Sequence, residues 1–424
     1  MIRRLSTVCT LALALVAALG FAPARAVAGS ASPVSAEARG AEVDGSRRVM
    51  MMLDLGAEHY RAGADYGGDY GDAMAAKARL RFARRIAREH RLAVVDSWPM
   101  PLIGVDCVIL EIRDERPVEQ VVKELSAIPG VSWSQPLNEF QMLEAGPPGH
   151  ARAPQASYND RLFPAQPAAS LWHLARLHQV STGRGVTIAI VDSHVDLAHP
   201  DLAGQIATAV DFVPGRPQAE RHGTGVAGII AARPNNALGI AGVAPGARIV
   251  ALRACWERTA GGATVCDSLS LARALTWAIE HGSGVINMSL TGPVDPLIRR
   301  LVEQANAHGA AVVAAIDEQH PATSFPAFLP GVVSVGDERL SDRLQAAYIA
   351  PGRDVLTTQP EGKWDLVSGS SYAAAHVSGL IALLRQASGG RPSTETLLGP
   401  RGTPLDACAA MARVSHLGRS DCMR

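Results

Sequence analysis

Short apolar runs alternate with amphipathic stretches through the second half of the chain. Helical patterns at 268–281 and 297–308 each end at a glycine, the residue that most readily closes a helix. Around them stand runs of β-branched and small apolar residues, at 186–191, 249–254, 285–288, 310–315 and 332–335. Strands that are apolar throughout are typical of a parallel sheet covered on both faces. The pattern predicts an α/β fold with a doubly wound, mostly parallel sheet over residues 171–424.

A smaller pattern precedes this one. Its predicted elements are a helix, a strand, a second helix and an extended segment, at 74–91, 105–112, 118–127 and 131–143. They predict a small α+β domain over residues 71–145. The arginines of the first helix would also fit a nucleic-acid or membrane surface. Glu89 interrupts them and no aromatic platform accompanies them, which favours a solvated helix face.

Two stretches have the composition of connecting segments. Residues 27–70 are rich in Ala, Gly, Ser and Arg and lack periodicity, so we predict a flexible segment there. Residues 146–170 contain several prolines among small polar residues, which predicts an exposed linker open to proteolytic processing.

The N-terminus has the pattern of an export signal. Arg3 and Arg4 precede a short apolar run at 11–19, and Ala24-Arg25-Ala26 offers a cleavage site. These flanks favour a signal peptide over residues 1–26 rather than a buried helix. No later run reaches the roughly 18 apolar residues of a membrane helix. We therefore expect an exported protein, secreted or periplasmic, without a membrane span.

Composition narrows the class of partner. The 424 residues carry 40 basic and 40 acidic side chains, a formal net charge of zero. A protein that binds the phosphate backbone needs a basic excess or a basic face, so we expect no nucleic-acid partner.

The cysteines fit an oxidising compartment. Pairs Cys255–Cys266 and Cys408–Cys422 are the simplest disulfides, although four cysteines allow three connectivities. Cys107 lies in an apolar run, which indicates a buried free thiol.

Candidate chemistry lies where parallel strands end. Asp192 ends the first predicted strand, His222 opens a small-residue helix, and Ser371 follows a Gly-Ser turn at the start of another helix. These residue types can activate a hydroxyl nucleophile, because imidazole takes the serine proton and carboxylate orients and stabilises the imidazolium. A serine at a helix N-terminus also brings free backbone N–H groups for a developing oxyanion.

The sequence motifs around these residues resemble those of the subtilisin-like serine peptidases (subtilases). The resembling segments are VDSHVDLAHPDL (191–202), HGTGVAG (222–228), INMSL (286–290) and GSSYAAAHVSG (369–379). The order Asp, His, Ser is also the subtilisin order. The resemblance implies a subtilisin-like fold and a serine endopeptidase that cleaves polypeptide substrates through an acyl-enzyme. It implies a triad of Asp192, His222 and Ser371, and no cofactor for the chemistry.

The resemblance also implies further roles. Substrate-binding residues would be Ser289, Leu290, Thr291 and Ala314, with Thr291 narrowing the specificity pocket where the family has glycine. Residues 77–143 resemble the subtilase propeptide, which implies a zymogen whose own propeptide is an intramolecular inhibitor.

One departure touches the chemistry. Asp317 stands where the family has the asparagine that donates to the oxyanion. An ionised carboxylate accepts hydrogen bonds only, whereas a protonated carboxyl can donate. We therefore expect an enzyme with reduced or acid-shifted activity. The alternative is a non-catalytic relative that acts as a binding module because its oxyanion hole is altered.

A structural calcium ion is a further expectation. Asp201 and Asn236, with the carbonyls of Leu238 and Ile240, match the family's calcium-binding positions and are oxygen ligands. The same residues also fit an Asp turn followed by an Asn-rich loop. Zinc held by His194, His199 and nearby aspartates is the other metal hypothesis.

Overall fold

The structure is a computed structural model that describes residues 47–55, 68–143, 158–215, 218–259, 261–340, 346–390 and 392–422. The predicted signal peptide, most of the predicted flexible segment and the first part of the predicted linker lie outside these ranges.

The described strands are β1 (Arg48–Asp54), β2 (Leu92–Met100), β3 (Val105–Ile112), β4 (Val131–Pro136), β5 (Glu139–Met142), β6 (Thr187–Asp192), β7 (Ile206–Asp211), β8 (Arg248–Arg253), β9 (Cys255–Glu257), β10 (Thr264–Asp267), β11 (Val285–Met288), β12 (Leu290–Thr291), β13 (Ala311–Ala315), β14 (Val333–Gly336), β15 (Tyr348–Ile349), β16 (Val355–Gln359) and β17 (Lys363–Val367). The described helices are α1 (Gly68–Glu89), α2 (Val118–Ser126), α3 (Pro167–Leu171), α4 (Leu174–Val180), α5 (Arg221–Ala231), α6 (Ser268–Glu280), α7 (Pro296–Ala307), α8 (Ser370–Ser388), α9 (Thr394–Leu398), α10 (Ala407–Val414) and α11 (Arg419–Cys422).

The N-terminal described residues form a small α+β domain. Its antiparallel sheet has the order β2-β3-β1-β4. Helices α1 and α2 cover one face, where Ile86, Val121 and Leu125 are buried against strand residues such as Val49 and Leu110. The spacing of Val121 and Leu125, one turn apart, explains how α2 presents an apolar face to the sheet.

Strand β1 corrects the predicted extent of the flexible segment. Arg48–Asp54 was included in that segment, but it is an inner strand with five buried residues in succession. The run of three methionines at 50–52 has no period-2 alternation. Its strand conformation therefore depends on pairing with β3 and β4, which lie far along the chain.

The second half of the chain confirms the predicted α/β architecture. Seven strands form a sheet of order β15-β14-β13-β11-β6-β8-β7, and all of its pairs are parallel. Helices α5 and α8 lie in the core on one face, and α6 and α7 on the other. A doubly wound sheet of this kind brings the ends of β6 and β13 to one edge, which positions the site.

The small domain packs against the α6 and α7 face. Met50 and Cys107 from its sheet share one buried cluster with Leu271 of α6 and Leu297 of α7. Burial also raises the pKa of the Cys107 thiol to about 12, so the predicted buried free cysteine is an unreactive one.

The predicted linker ends earlier than expected. Residues 158–170 belong to the predicted linker. They pack instead on the larger domain, together with residue 171, and Phe163 and Ala168 are buried there. Both predicted disulfides are present, Cys255–Cys266 and Cys408–Cys422. The first joins β9 to β10, and the second ties α10 to α11.

Candidate active site

The three residues predicted as a triad lie at the ends of elements on one edge of the parallel sheet. Asp192 is the last residue of β6, His222 lies in the first turn of α5, and Ser371 lies in the first turn of α8. All three side chains are fully buried. This burial explains why the sequence places them among small and apolar residues.

Asp192 and His222 are hydrogen-bonded. The His222 Nδ1 atom lies 2.8 Å from Asp192 Oδ1, so Nδ1 carries the hydrogen that the carboxylate accepts. Gly223 makes the close approach of the two segments possible, because a Cβ there would lie 2.3 Å from the Ser193 carbonyl oxygen. The Gly223 N–H also donates to Ser193 Oγ at 3.0 Å.

Glu220 holds the loop after Asp192 against the helix of His222. It is the N-cap residue of α5, and its carboxylate accepts from the backbone N–H groups of His194 at 2.7 Å and Glu257 at 3.0 Å. Burial raises the pKa of this carboxyl. Glu220 is not among the residues predicted from the sequence, and its place two residues before His222 is the signal that could have indicated it.

Ser371 is held by the strand predicted to bind substrate. Its hydroxyl donates to the Ser289 carbonyl oxygen at 2.7 Å, and Ser289 Oγ donates to the Ser371 carbonyl oxygen at 3.0 Å. Asn287 supports this pair, since its side-chain amide donates to Ser289 Oγ at 2.9 Å. The ring of Tyr372, at the position next to Ser371, lies 5.5 Å from the His222 ring between centroids.

A segment of the small domain occupies the groove beside Ser371. Strand β5 lies between β10 and β12 and pairs antiparallel with both, with Gln141 opposite Thr291 and also opposite Val265. The next residue after β5 is Leu143, whose backbone N–H donates to Ser371 Oγ at 3.2 Å. The groove between β10 and β12 therefore binds an extended peptide that leads to the serine.

Phe140 anchors this segment. Its side chain is fully buried, and its ring lies 6.2 Å from that of Phe325 between centroids. Gly292 makes room for it, because a Cβ there would lie 2.3 Å from the Phe140 ring. Leu290 and Thr291, predicted as substrate-binding residues, thus contact a peptide backbone. Ala314 is buried in β13, three residues before Asp317.

Asp317 accepts hydrogen bonds from its own loop. Oδ1 accepts from the Gln319 N–H at 2.8 Å, and Oδ2 lies 3.1 Å from Nδ1 of the exposed His320. The Gln319 N–H is the donor in the first of these bonds, so Oδ1 is an acceptor here. Ser371 lies in the first turn of α8, where a helix leaves backbone N–H groups without partners of its own.

A cluster of charges follows Asp317. Burial and the neighbouring carboxylate of Asp337 raise the pKa of Glu318 to about 7, and Arg339 partly offsets them. Arg339 bridges the two acids, with its guanidinium 2.6 Å from the buried Asp337. The turn after β13 therefore carries a carboxyl group that changes its charge near neutral pH.

The predicted metal ligands do not fit a metal. Both Asp201 oxygens accept from N–H donors: Oδ1 from the Asn236 amide at 2.8 Å, and Oδ2 from Ile240 at 2.9 Å and the Trp364 indole at 2.7 Å. These donors satisfy the carboxylate and cannot ligate a cation, so the calcium expectation finds no support.

The zinc alternative also has no support. His199 Nε2 lies 2.9 Å from the Lys363 carbonyl oxygen, and its Nδ1 accepts from the backbone N–H of Asp201 at 3.1 Å. Within the described ranges, no three His, Cys, Asp or Glu side chains come together as a metal site needs.

Fold and site together define a class. A buried carboxylate–imidazole pair and a serine at the N-terminus of a helix, next to a groove that holds an extended peptide, are features of a serine peptidase built on a parallel α/β sheet. Comparison with known proteins agrees. A model of the subtilase family matches residues 183–398, just over half of the chain, and the chain belongs to that family of serine endopeptidases.

Individual relatives align over half to two thirds of the chain. The thermophilic serine proteinase of Bacillus sp. (strain AK1) is 35% identical over 295 residues, which are 66% of this chain and 68% of that protein. Thermitase of Thermoactinomyces vulgaris is 36% identical over 228 residues, 51% of this chain and 79% of that protein.

A solved structure is similar in fold. Fervidolysin from Fervidobacterium pennivorans, a keratinolytic enzyme related to subtilisin, aligns with a TM-score of 0.65 at 22% identity. The alignment covers 86% of this chain and 60% of that one, and at this identity the likeness shows the fold alone. Among the described residues, no helix has the length and apolar character needed to cross a membrane.

Proposed function

We propose that this chain is an exported serine endopeptidase with Ser371 as nucleophile, made as an inactive precursor. His222 Nε2 takes the proton of Ser371 as Oγ bonds to the substrate carbonyl carbon. The same proton then passes to the leaving amine as the C–N bond breaks. Water hydrolyses the resulting ester by the reverse sequence, and Asp192 stabilises the imidazolium throughout.

The observation that carries the proposal is the occupied groove. Residues 139–143 run as a strand into the site and end with the Leu143 N–H on the nucleophile. A substrate would have to displace this strand, so the attached small domain inhibits the enzyme. The Ser371 hydroxyl, which donates to Ser289 in this state, must turn toward His222 before it can react.

The register of the segment favours one bond for self-processing. The backbone N–H of Leu143 donates to Ser371 Oγ, and Met142 is still paired within the sheet, so the carbonyl carbon of Leu143 is the first one beyond the paired strand. We propose cleavage of the peptide bond that follows Leu143, just before the predicted linker. The pattern of an export signal and the two disulfides support passage to an oxidising compartment.

A fluorophosphonate probe and mass spectrometry test the proposal together. The secreted protein should be labelled, and it should release a small-domain fragment that ends at Leu143. Ser371→Ala should abolish both, while Ser370→Ala, which removes the neighbouring hydroxyl, should keep labelling. An unlabelled, unprocessed wild-type chain between pH 4 and 8 would contradict the proposal.

The binding-module alternative rests on Asp317. Because its Oδ1 accepts from Gln319, this side chain is arranged as an acceptor, which weakens oxyanion stabilisation. Membership of a peptidase family and the paired Asp192 and His222 favour an enzyme of reduced rate over a module without activity. Labelling by the probe separates the two.

A further inference from the structure

Asp295 lies at a junction between the groove and the small domain. It is the fully buried N-cap residue of α7, and its Oδ1 accepts from the backbone N–H groups of Leu297 at 2.9 Å and Ile298 at 3.0 Å. Helix capping thus uses one oxygen and directs the other away from α7.

The second oxygen faces donors from two other elements. Asp295 Oδ2 accepts from Ser268 Oγ at 2.5 Å and from the side-chain amide of Asn138 at 2.9 Å. The Gln135 amide donates to Oδ1 at 2.9 Å. A buried carboxylate needs such donors, and neutral amides supply them without a counter-charge.

Ser268 binds the backbone of the same asparagine. Its N–H donates to the Asn138 carbonyl oxygen at 3.0 Å, and its Oγ accepts from the Asn138 N–H at 3.1 Å. Both the main chain and the side chain of Asn138 are therefore held, by the first residue of α6 and the cap of α7. This is the arrangement of a binding subsite rather than of a single surface contact.

The subsite is in line with the groove. Asn138 directly precedes β5, and β5 leads to Leu143 at the nucleophile. Counted back from Leu143 as the first residue, Asn138 is the sixth. We propose that Ser268 and Asp295 form a substrate subsite that binds a side-chain carboxamide, Asn or Gln, at the sixth residue before the scissile bond. This inference rests on the proposed function.

The chemistry of the subsite sets its preference. A side-chain amide at this position donates one N–H to Asp295 Oδ2. Without it, the described donor to this oxygen is the Ser268 hydroxyl. An Asp at the same place would bring a second carboxylate against a buried one. A Leu would cover the oxygen without a hydrogen bond. The expected order is Asn above Leu above Asp.

Cleavage of short peptides tests this preference without the small domain. Internally quenched peptides with the sequence of residues 138–146 would carry Asn, Leu or Asp at the first position. With the processed protein, we expect kcat/KM for Asn to exceed that for Asp at least tenfold, mostly through KM. Asp295→Asn, which can still cap α7, should reduce the ratio below about threefold. Asp406→Asn, at the N-cap of α10, is the matched control and should keep it.

Peptides of residues 139–146, which lack the sixth residue, distinguish failure of the proposed subsite from failure of the proposed endopeptidase function. If they are cleaved but Asn, Leu and Asp peptides react equally, the subsite is overturned and the proposed function stands. A second readout needs no turnover. In the full-length Ser371→Ala chain, Asn138→Asp should speed amide hydrogen exchange of 139–142 at least tenfold. Gln120→Glu, which also replaces an amide by a carboxylate but on the exposed face of α2, should leave the exchange of 139–142 unaltered. Unchanged exchange in Asn138→Asp would by itself refute the proposed subsite.

Discussion

Asp317→Asn is the substitution that most directly tests the oxyanion argument. The change replaces one carboxylate oxygen by an amide of the same shape. The asparagine carbonyl can keep the Gln319 hydrogen bond of 2.8 Å, and its amide then occupies the position that lies 3.1 Å from His320 Nδ1. The loop should therefore fold as before, and the chain gains an N–H donor for the oxyanion.

The size of the effect follows from two terms. In subtilisin, removal of the side-chain donor at this position costs about 10²–10³ in kcat, or roughly 2.7–4 kcal/mol. Here the new amide must first leave His320, an exposed contact worth about 0.5–1.5 kcal/mol. The difference is about 1.2–3.5 kcal/mol, which at about 1.4 kcal/mol per tenfold predicts a gain of about tenfold to a few hundredfold. His320→Ala removes the competing partner, so the double variant should reach the upper end.

The assay is kcat for one peptide from pH 5 to 9 in the wild type, both single variants and the double variant. If a protonated Asp317 donates to the oxyanion, the wild-type rate should rise as pH falls until His222 is protonated. Asp317→Asn should then remove that acid-side maximum. A flat alkaline plateau in the wild type would contradict the protonated-Asp hypothesis. An Asp317→Asn rate at or below wild type across the range, with equal probe labelling, would refute the oxyanion argument.

Three further outcomes are expected. Phe140→Ala should weaken binding of the proposed inhibitory segment by about 3–5 kcal/mol, because the ring is fully buried, and cleavage of an added peptide should begin correspondingly earlier in a time course. Burial lowers the pKa of His178 from 6.5 to about 4, so the stability that His178 contributes is complete above pH 6.5 and is lost as pH falls toward 4. The measurement is thermal unfolding of Ser371→Ala and of the same chain with His178→Gln. At about 1.4 kcal/mol per tenfold in proton affinity, the stability advantage of the chain that keeps His178 should be about 3 kcal/mol smaller at pH 4 than at pH 7. Gel filtration measures how much of the cleaved small domain stays bound to the larger one. This amount should change less than threefold between 0.05 and 0.5 M NaCl, and a tenfold loss would show that ion pairs hold the small domain.

The parallel sheet, and the edge of it where Asp192, His222 and Ser371 lie, could be predicted because both leave local signals. Asp192 ends an apolar run, and His222 and Ser371 open helices of small residues, so each lies where a parallel sheet concentrates function. Strand β1 left no such signal. Its three consecutive methionines show no alternation of apolar and polar residues, and its strand conformation depends on pairing with β3 and β4.

The groove could not be predicted in the same way. Strand β10 has four residues and faces β5, which lies more than a hundred residues earlier in the chain. Asp295 reads in the sequence as an ordinary helix cap before Pro296, and its contact with Asn138 spans 157 positions. The donors around Asp201 that do not suit a cation could not be predicted for a related reason. Asp201 matches a family position, but the Trp364 indole that satisfies it comes from the distant β17.

In the proposed precursor, the small domain is held without any attraction between net charges. Residues 1–157 carry 18 bases and 18 acids, and residues 158–424 carry 22 of each, so no net attraction joins the two parts. Apolar side chains and amide donors to Asp295 hold the small domain instead, and Arg273–Asp96 and Arg258–Glu139 are partly exposed pairs of little worth. Cleavage after Leu143 removes none of these contacts. If the small domain is the inhibitor that we propose, its release must wait until it unfolds or is digested, and its own stability then determines how fast the enzyme becomes active.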